Sequence, residues 1–571
     1  MFIPTTRSEM ELLGWDRPDI VLVTGDSYID HPCIGVSIIG HVLIEAGYRV
    51  GIIAQPDIDS DRDIRRLGEP SLFWGVSAGS IDSMVANYTA AGKRRKSDDY
   101  TPGGINNRRP DRALIVYSNL IRRFFKNTCP IVLGGIEASL RRIAHYDYWS
   151  ERIRRSVLFD AKADMLVYGM GEKSIIELAK CFNAGHDFRH IPGICYIAKQ
   201  KPENCFELPD FETVAKNKPS FIKMFEAFYD NNEWGSARAL CQRQNTRYLV
   251  QNPPSRPLAN NELDRIYAMD FERDQHPFYA QQGSVKALET IRFSITSHRG
   301  CYGECNFCSI APHQGRTVVS RSEQSILKEA AGFTRHRDFK GIIADVGGPT
   351  ANMYGIECEQ KISRGACKAK RCLYPGVCTQ LPVDHLPQIN LLKSLRQLPG
   401  VKKVFVASGI RHDMVLADAR HGKIYLEELV KHHVSGQMKI APEHTETRVL
   451  ELMGKPVKKS LSTFKNLFYS INCASGKRQF LTYYLIAAHP GCTLGDMRKL
   501  KEFTSNELKT NPEQVQIFTP LPSTWSGVMY YTGIDPLSGE KIFVEKDRSG
   551  RQRQKDIVVA KRRIRPRAIR R

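Results

Sequence analysis

Cys301-Tyr-Gly-Glu-Cys305-Asn-Phe-Cys308 sets three cysteines at the spacing C-x3-C-x2-C, and the nearest cysteines on either side are Cys241 and Cys358. So short a stretch has to fold as a loop that turns three thiols toward one point. Three thiolates can hold three corners of a [4Fe–4S] cube, which normally takes four cysteines, one per iron. With three, one iron is left free to bind something else. Structural zinc wants four ligands, usually as two separated pairs. Here it would have to recruit His298 or His313 at unusual spacing. The spacing favours the cluster.

The 571 residues leave room for two to four domains. A hydrophobic content of 42% with 25% charged residues is ordinary for globular protein. No run of about 18 apolar residues is present, so no membrane-spanning helix is expected. The opening stretch MFIPTTRSEMELLGWDRPD has no apolar segment and does not read as a secretory signal. Fifteen cysteines without such a signal point to the reducing cytoplasm, where thiols stay free or bind metal. The net charge of +22 suggests contact with a polyanion, RNA first. From Lys546 to Arg571 there are twelve Lys and Arg against two Asp, a block that reads equally as a nucleic-acid contact or as a solvated tail.

Apolar runs alternate with helical patterns along the first 200 residues. Strands are expected at Asp19–Thr24, Arg49–Ala54, Ser71–Val76, Pro130–Leu133 and Asp164–Tyr168, with a helix at Gly35–Ala46 ended by Gly47. This predicts an α/β fold with a doubly wound parallel sheet, whose ligands bind beyond the carboxyl ends of the strands. The pattern restarts after Ser284. Strands are expected at Thr290–Thr296, Ile342–Val346, Lys403–Ala407, Gly436–Ala441, Phe480–Ala487 and Val515–Phe518, each ending in a polar or glycine turn. Six such units fit a partial (β/α)6 TIM-type barrel with its reactive groups at strand carboxyl ends. The chain divides into an N-terminal domain (1–200), a connecting segment (201–285), a core (286–525) and a basic C-terminal extension expected to be partly disordered (526–571).

The cysteine loop resembles the signature loop of the radical SAM superfamily. The resemblance implies that Cys301, Cys305 and Cys308 ligate a [4Fe–4S] cluster. Its open iron would chelate the amine and carboxylate of S-adenosylmethionine (SAM), and reductive cleavage would give methionine and a 5′-deoxyadenosyl radical. It also implies an electron donor of the reductase or flavodoxin type. Phe307 matches an aromatic that packs near the adenine. Gly347-Gly348-Pro349-Thr350 resembles the GGE turn that meets the methionine amine, with Pro349 where the family has an acid. Ser408 and Arg411, after the third strand, are candidate partners for ribose or carboxylate. The turns PIVLGGIEAS and ADMLVYGMGEKS resemble those of a cobalamin-binding-like N-terminal domain. The D-x-H-x-x-G motif that supplies a cobalt ligand is not matched by Asp30-His31-Pro32-Cys33-Ile34-Gly35, so His31 reads as a turn histidine. Taken together, the layout resembles the YgiQ family of radical SAM proteins.

Three further readings come from the residues alone. Cys358, Cys367, Cys372 and Cys378 are too dense for chance core filling, and suit an auxiliary Fe–S cluster or zinc before free thiols. Glu443 and His444, at a strand end, are candidates for proton exchange or substrate binding, with a purely structural hydrogen-bonding role equally open. Cys492 is a candidate radical quencher, or a small residue filling space. A cobalamin-dependent methyltransferase and a non-catalytic nucleic-acid-binding protein with structural metal sites are the alternative readings.

Overall fold

The computed structural model describes residues 1–559 apart from 369, 457–458 and 513–514. Its N-terminal half is one sheet of nine strands: β1 (Ile20–Thr24), β2 (Val50–Ala54), β3 (Phe73–Ser77), β4 (Ile131–Gly134), β5 (Met165–Val167), β6 (Ile194–Ala198), β7 (Phe206–Glu207), β8 (Leu240–Gln244) and β9 (Arg247–Gln251). Their order across the sheet is β7-β8-β9-β6-β5-β4-β3-β1-β2. From β2 through β5 every pairing is parallel. β1 and β2 are buried along their whole length, because helices cover both faces of such a sheet and leave no polar side. The strand order reverses beside β1, and the carboxyl ends of β1, β3, β4 and β5 open onto one crevice.

The stretch 201–285, expected as a connector, adds three strands to this sheet before it reaches the core. β5 and β6 pair antiparallel, as do β6 with β9 and β8 with β9. The β8–β9 hairpin buries Gln242, Gln244 and Gln251. Each is held by a partner distant in sequence: Ala144 N donates to Gln242 Oε1, Ser156 N to Gln244 Oε1, and Arg142 Nε to Gln251 Oε1.

The C-terminal half adds strands in sequence order: β10 (Ser294–Thr296), β11 (Ile342–Ile343), β12 (Asp345–Gly347), β13 (Lys403–Val404), β14 (Gln437–Glu443), β15 (Phe480–Ala487) and β16 (Gln516–Ile517). β10 pairs with β12, β11 with β13, β14 with β15 and β15 with β16, all parallel. A parallel bridge from Ile410 to Ile440 joins β13's continuation to β14. Counting β11 and β12 as one interrupted strand, six strands with parallel pairings lie in the order that the sequence predicts. Several strand boundaries shift, and the first shifts most. Residues Leu288–Ile291 form a helical turn instead of the start of a strand. Val285 and Leu288 pack there with Ile29 and Ile34 of the N-terminal half, and that contact outweighs the β propensity of the run.

Part of the stretch read as a basic extension is packed. Arg548–Val558 is a helix, with Arg551 and Gln554 buried. Gln554 Nε2 donates to Cys492 O at 2.9 Å, and its Oε1 accepts from Ala488 N at 2.9 Å. Arg551 reaches Ala90 O at 3.2 Å and the Tyr148 hydroxyl. The basic run from Lys561 to Arg571 lies outside the described residues. Among the described residues, no helix is long and apolar enough to cross a membrane.

Candidate functional site

The cysteine loop follows β10 through Ser297, His298, Arg299 and Gly300. Gly300 has φ +80°, and a Cβ there would lie 1.9 Å from Thr317 O, so the turn into Cys301 needs glycine. Each thiol has its own donor. Gly303 N lies 3.3 Å from Cys301 Sγ, Ile310 N 3.5 Å from Cys308 Sγ, and Arg411 NH1 3.8 Å from Cys305 Sγ. Thr350 Oγ1 is 3.4 Å from Cys301 Sγ. A Cβ on Gly303 would stand 3.3 Å from Cys301 Sγ and 3.6 Å from Cys305 Sγ, so glycine lets the loop close around the sulfurs. Burial pushes the Cys308 thiol up to about 12 and raises Cys301 too. Uncharged thiols suit such a pocket, and thiolates there call for a bound cation to compensate them. N–H donors aimed at sulfur are a feature that tunes Fe–S centres. Three thiols furnished in this way fit the cluster predicted from their spacing.

The loop is locked by buried charge. Glu304, between Cys301 and Cys305, is 5% exposed. Lys361 Nζ donates to its Oε1 at 3.3 Å, and the Tyr229 hydroxyl to its Oε2 at 3.3 Å. Arg316 stands 3.6 Å from Glu304 and 3.3 Å from Glu233. Lys361 also donates to Arg316 O at 2.8 Å. Two carboxylates thus meet two cations in one closed set, which the sequence reading missed because each residue alone looks like surface.

The glycine turn ends β12 beside this loop. Ser297 N donates to Gly347 O at 2.7 Å, and a Cβ on Gly348 would come within 2.6 Å of His298 Nε2. Ser408 donates from Oγ to the Asp345 carboxylate at the mouth of the neighbouring strand. Arg411 turns to the cysteines. Its Nε donates to Asp413 Oδ1 at 2.8 Å, and the carboxylate raises the guanidinium against the opposing cost of burial. Phe307 packs against the apolar cores of both halves, its ring edge-on to His489 at 6.3 Å.

Glu443 sits at the end of β14 with φ +67°, buried, 3.7 Å from Lys455. Burial raises its carboxyl, and its charge adds to the upward push on Cys308. His444 is separate from that group. Its Nε2 is 3.6 Å from Cys492 Sγ, and burial holds its ring down at about 4. Cys492 is part of the apolar core of the C-terminal half, which is a packing position. Of the second cysteine group, Cys358, Cys372 and Cys378 pack with Tyr302 and Cys301 in one small apolar cluster. The Tyr302 hydroxyl accepts from Cys358 N at 3.1 Å, tying the two cysteine loops together. Cys367 is half-buried, and none of the four is in a disulfide.

A cavity of about 440 Å³ lies between the two halves. One wall is the row of strand ends of the N-terminal sheet: Thr24 and Asp26, Ser77, Gly134 and Gly135, and Gly169 to Glu172. The other is formed at the ends of the C-terminal strands: Thr296, His298, Arg299, Gly347, Gly348 and Ser408. His31 does not line it. The ring is buried with Nε2 2.9 Å from Arg273 NH1 and 3.3 Å from Arg292 O, and burial keeps it neutral. This agrees with a turn histidine.

A family profile described as Radical SAM N-terminal matches residues 2–294. The UPF0313 protein of Fusobacterium nucleatum is 56% identical over 565 residues, covering 99% of this chain and 100% of its own length. The UPF0313 protein of Thermotoga maritima is 50% identical over 98% of this chain and 99% of its own length. Among solved structures, the radical S-adenosylmethionine methyltransferase TsrM of Kitasatospora setae aligns over 88% of this chain and 73% of its own, at 14% identity and a TM-score of 0.48. The identities and the extent of the profile together establish that the chain belongs to the UPF0313 proteins, within the radical SAM superfamily.

Proposed function

We propose that the protein uses a [4Fe–4S] cluster on Cys301, Cys305 and Cys308 to cleave SAM, and that it directs the resulting radical into the cavity between its two halves. The observation that carries this reading is the cysteine loop, with a donor at each sulfur, opening beside a Gly347–Gly348 turn that lines that cavity. Held by these three cysteines, a cluster would supply the electron that cleaves SAM, while the protein orients the reactants and keeps water out. Gly347 and Gly348 give backbone access on the methionine side. Ser408, fixed by Asp345, presents its hydroxyl to the same wall. Arg411 would offset thiolate charge at Cys305, and Glu443, paired with Lys455, bears on Cys308 through its charge.

Anaerobically reconstituted protein with dithionite and SAM is expected to yield 5′-deoxyadenosine and methionine, and Cys301→Ala to lose both the cluster and the product. Fully loaded protein that forms no 5′-deoxyadenosine would leave the non-catalytic reading standing. A cavity of about 440 Å³ admits a small molecule, or one residue inserted from a macromolecule. RNA or protein modification therefore needs a single nucleotide or side chain to enter. The charge of +22 supports RNA over protein. Cobalamin would have to bind this cavity without His31, and corrinoid retained after anaerobic purification from supplemented cells would favour that alternative. Iron beyond that of one cluster, or zinc, is the measurement that assigns the second cysteine group.

A further inference from the structure

The sequence pointed to His31 in the turn before the helix Gly35–Glu45; the structure points to its neighbour. Cys33 is solvent-accessible, yet its thiol is surrounded by protein. Cys33 lines the cavity. His31 Nδ1 lies 3.0 Å from its sulfur and fixes it there. Two buried groups, one on each wall of this cavity, carry polar atoms that the protein leaves unpaired. Arg299 and Glu172 form an ion pair across the two halves, but Arg299 NH2 and Glu172 Oε2 have no hydrogen-bond partner. Arg299 is 7% exposed and Glu172 3%. Unpaired buried groups lining a cavity are costly unless a polar ligand or water meets them, so this space favours a ligand with polar groups.

Given the radical chemistry of the preceding section, we infer that Cys33 is the hydrogen-atom donor that ends the radical formed on that ligand. A carbon radical in a closed space takes hydrogen from the weakest X–H bond in reach. Sulfur–hydrogen bonds are weaker than O–H or N–H bonds, and among the described residues lining the cavity Cys33 is the one with an S–H. Burial pushes this thiol up to about 12, so at neutral pH the hydrogen is on the sulfur. Cys492, the donor suggested by sequence, is sealed in the core. The step balances as R• plus Cys33–SH giving R–H plus the Cys33 thiyl. The thiyl returns to thiol with one proton from solvent and one electron from a low-potential one-electron reductant, the class that also reduces the cluster.

The test needs no knowledge of the ligand. Cluster-loaded protein turns over SAM with dithionite in D2O, where Cys33 carries exchangeable deuterium and the 5′-deoxyadenosyl radical itself is the acceptor. The expected result is monodeuterated 5′-deoxyadenosine from the wild type, and loss of the deuterium in both Cys33→Ala and Cys33→Ser while 5′-deoxyadenosine still forms. Unchanged deuteration in the variants, or none in the wild type, overturns the assignment of Cys33. Absence of 5′-deoxyadenosine altogether instead refutes the underlying reading of the reaction. A second readout is independent of turnover. Prolonged iodoacetamide treatment at pH 9 of the anaerobic loaded protein, mapped by peptide mass spectrometry, is expected to modify Cys33 faster than the core residue Cys195, whose thiol burial raises equally to about 12, so that the difference in rate reads access and not ionisation. Protection of Cys33 equal to that of Cys195 would show that it does not face an accessible cavity, and would overturn the inference.

Discussion

Replacing Lys361 by Met tests whether the charge set around Glu304 holds the cysteine loop. Lys361 is fully buried and its Nζ is 3.3 Å from Glu304 Oε1. At an effective dielectric near 20, two unit charges at that separation attract by about 5 kcal/mol. Removing one partner of a buried pair costs about 3–5 kcal/mol, because the other charge stays buried and unpaired. Arg316, 3.6 Å from Glu304, offsets part of this, since it already serves Glu233. Lys361→Met is therefore expected near the lower end, about 3 kcal/mol. Glu304→Gln keeps the hydrogen-bonding shape but leaves an excess cation, and should cost about 2 kcal/mol. The double variant restores neutrality, so its cost should fall short of the sum by about 1–3 kcal/mol. The assay is the urea midpoint of the transition that includes the core, with iron per chain after reconstitution as a parallel readout. Additivity of the two substitutions, or normal iron content in Lys361→Met, would refute the claim that this set positions the loop.

Burial raises the Asp413 carboxyl, but Arg411 outweighs it and holds it at about 2. A depressed carboxyl stabilises the fold fully above its ordinary value near 3.8 and loses that stabilisation as pH falls toward 2. The cluster-free protein should thus lose about 2 kcal/mol between pH 4 and 2, and Asp413→Asn, less stable throughout, should show a flatter acid limb in thermal melts. Gly300→Ala combines a positive φ, costing about 1–2 kcal/mol, with a Cβ 1.9 Å from Thr317 O, so iron loading should collapse. Gly348→Ala places a Cβ 2.6 Å from His298 Nε2, and is expected to raise the KM for SAM while iron content stays normal.

Much of this was legible in the sequence, because it rests on local pattern. The fully buried β1 and β2 read as apolar runs, the cysteine spacing announced the loop, and the glycines ending β12 marked a turn with close backbone approach. What escaped was polarity satisfied at long range. β8 and β9 are rich in Gln and Arg, and their buried glutamines become strand residues only because Ala144, Ser156 and Arg142 meet them. Glu304 and Lys361 look like surface residues until the fold pairs them. Arg411 was marked for SAM, and in the structure its guanidinium serves Cys305 and Asp413. Cys33 carried no motif at all; only the cavity distinguishes it from a cysteine of the core.

The helix Arg548–Val558 lies later in the chain than everything it touches, and it touches both halves: Ala90 and Tyr148 on one side, Ala488 and Cys492 on the other. During synthesis those contacts wait until the sheet and the barrel have both been made. This helix is therefore the last of the described contacts between the two halves to close during synthesis.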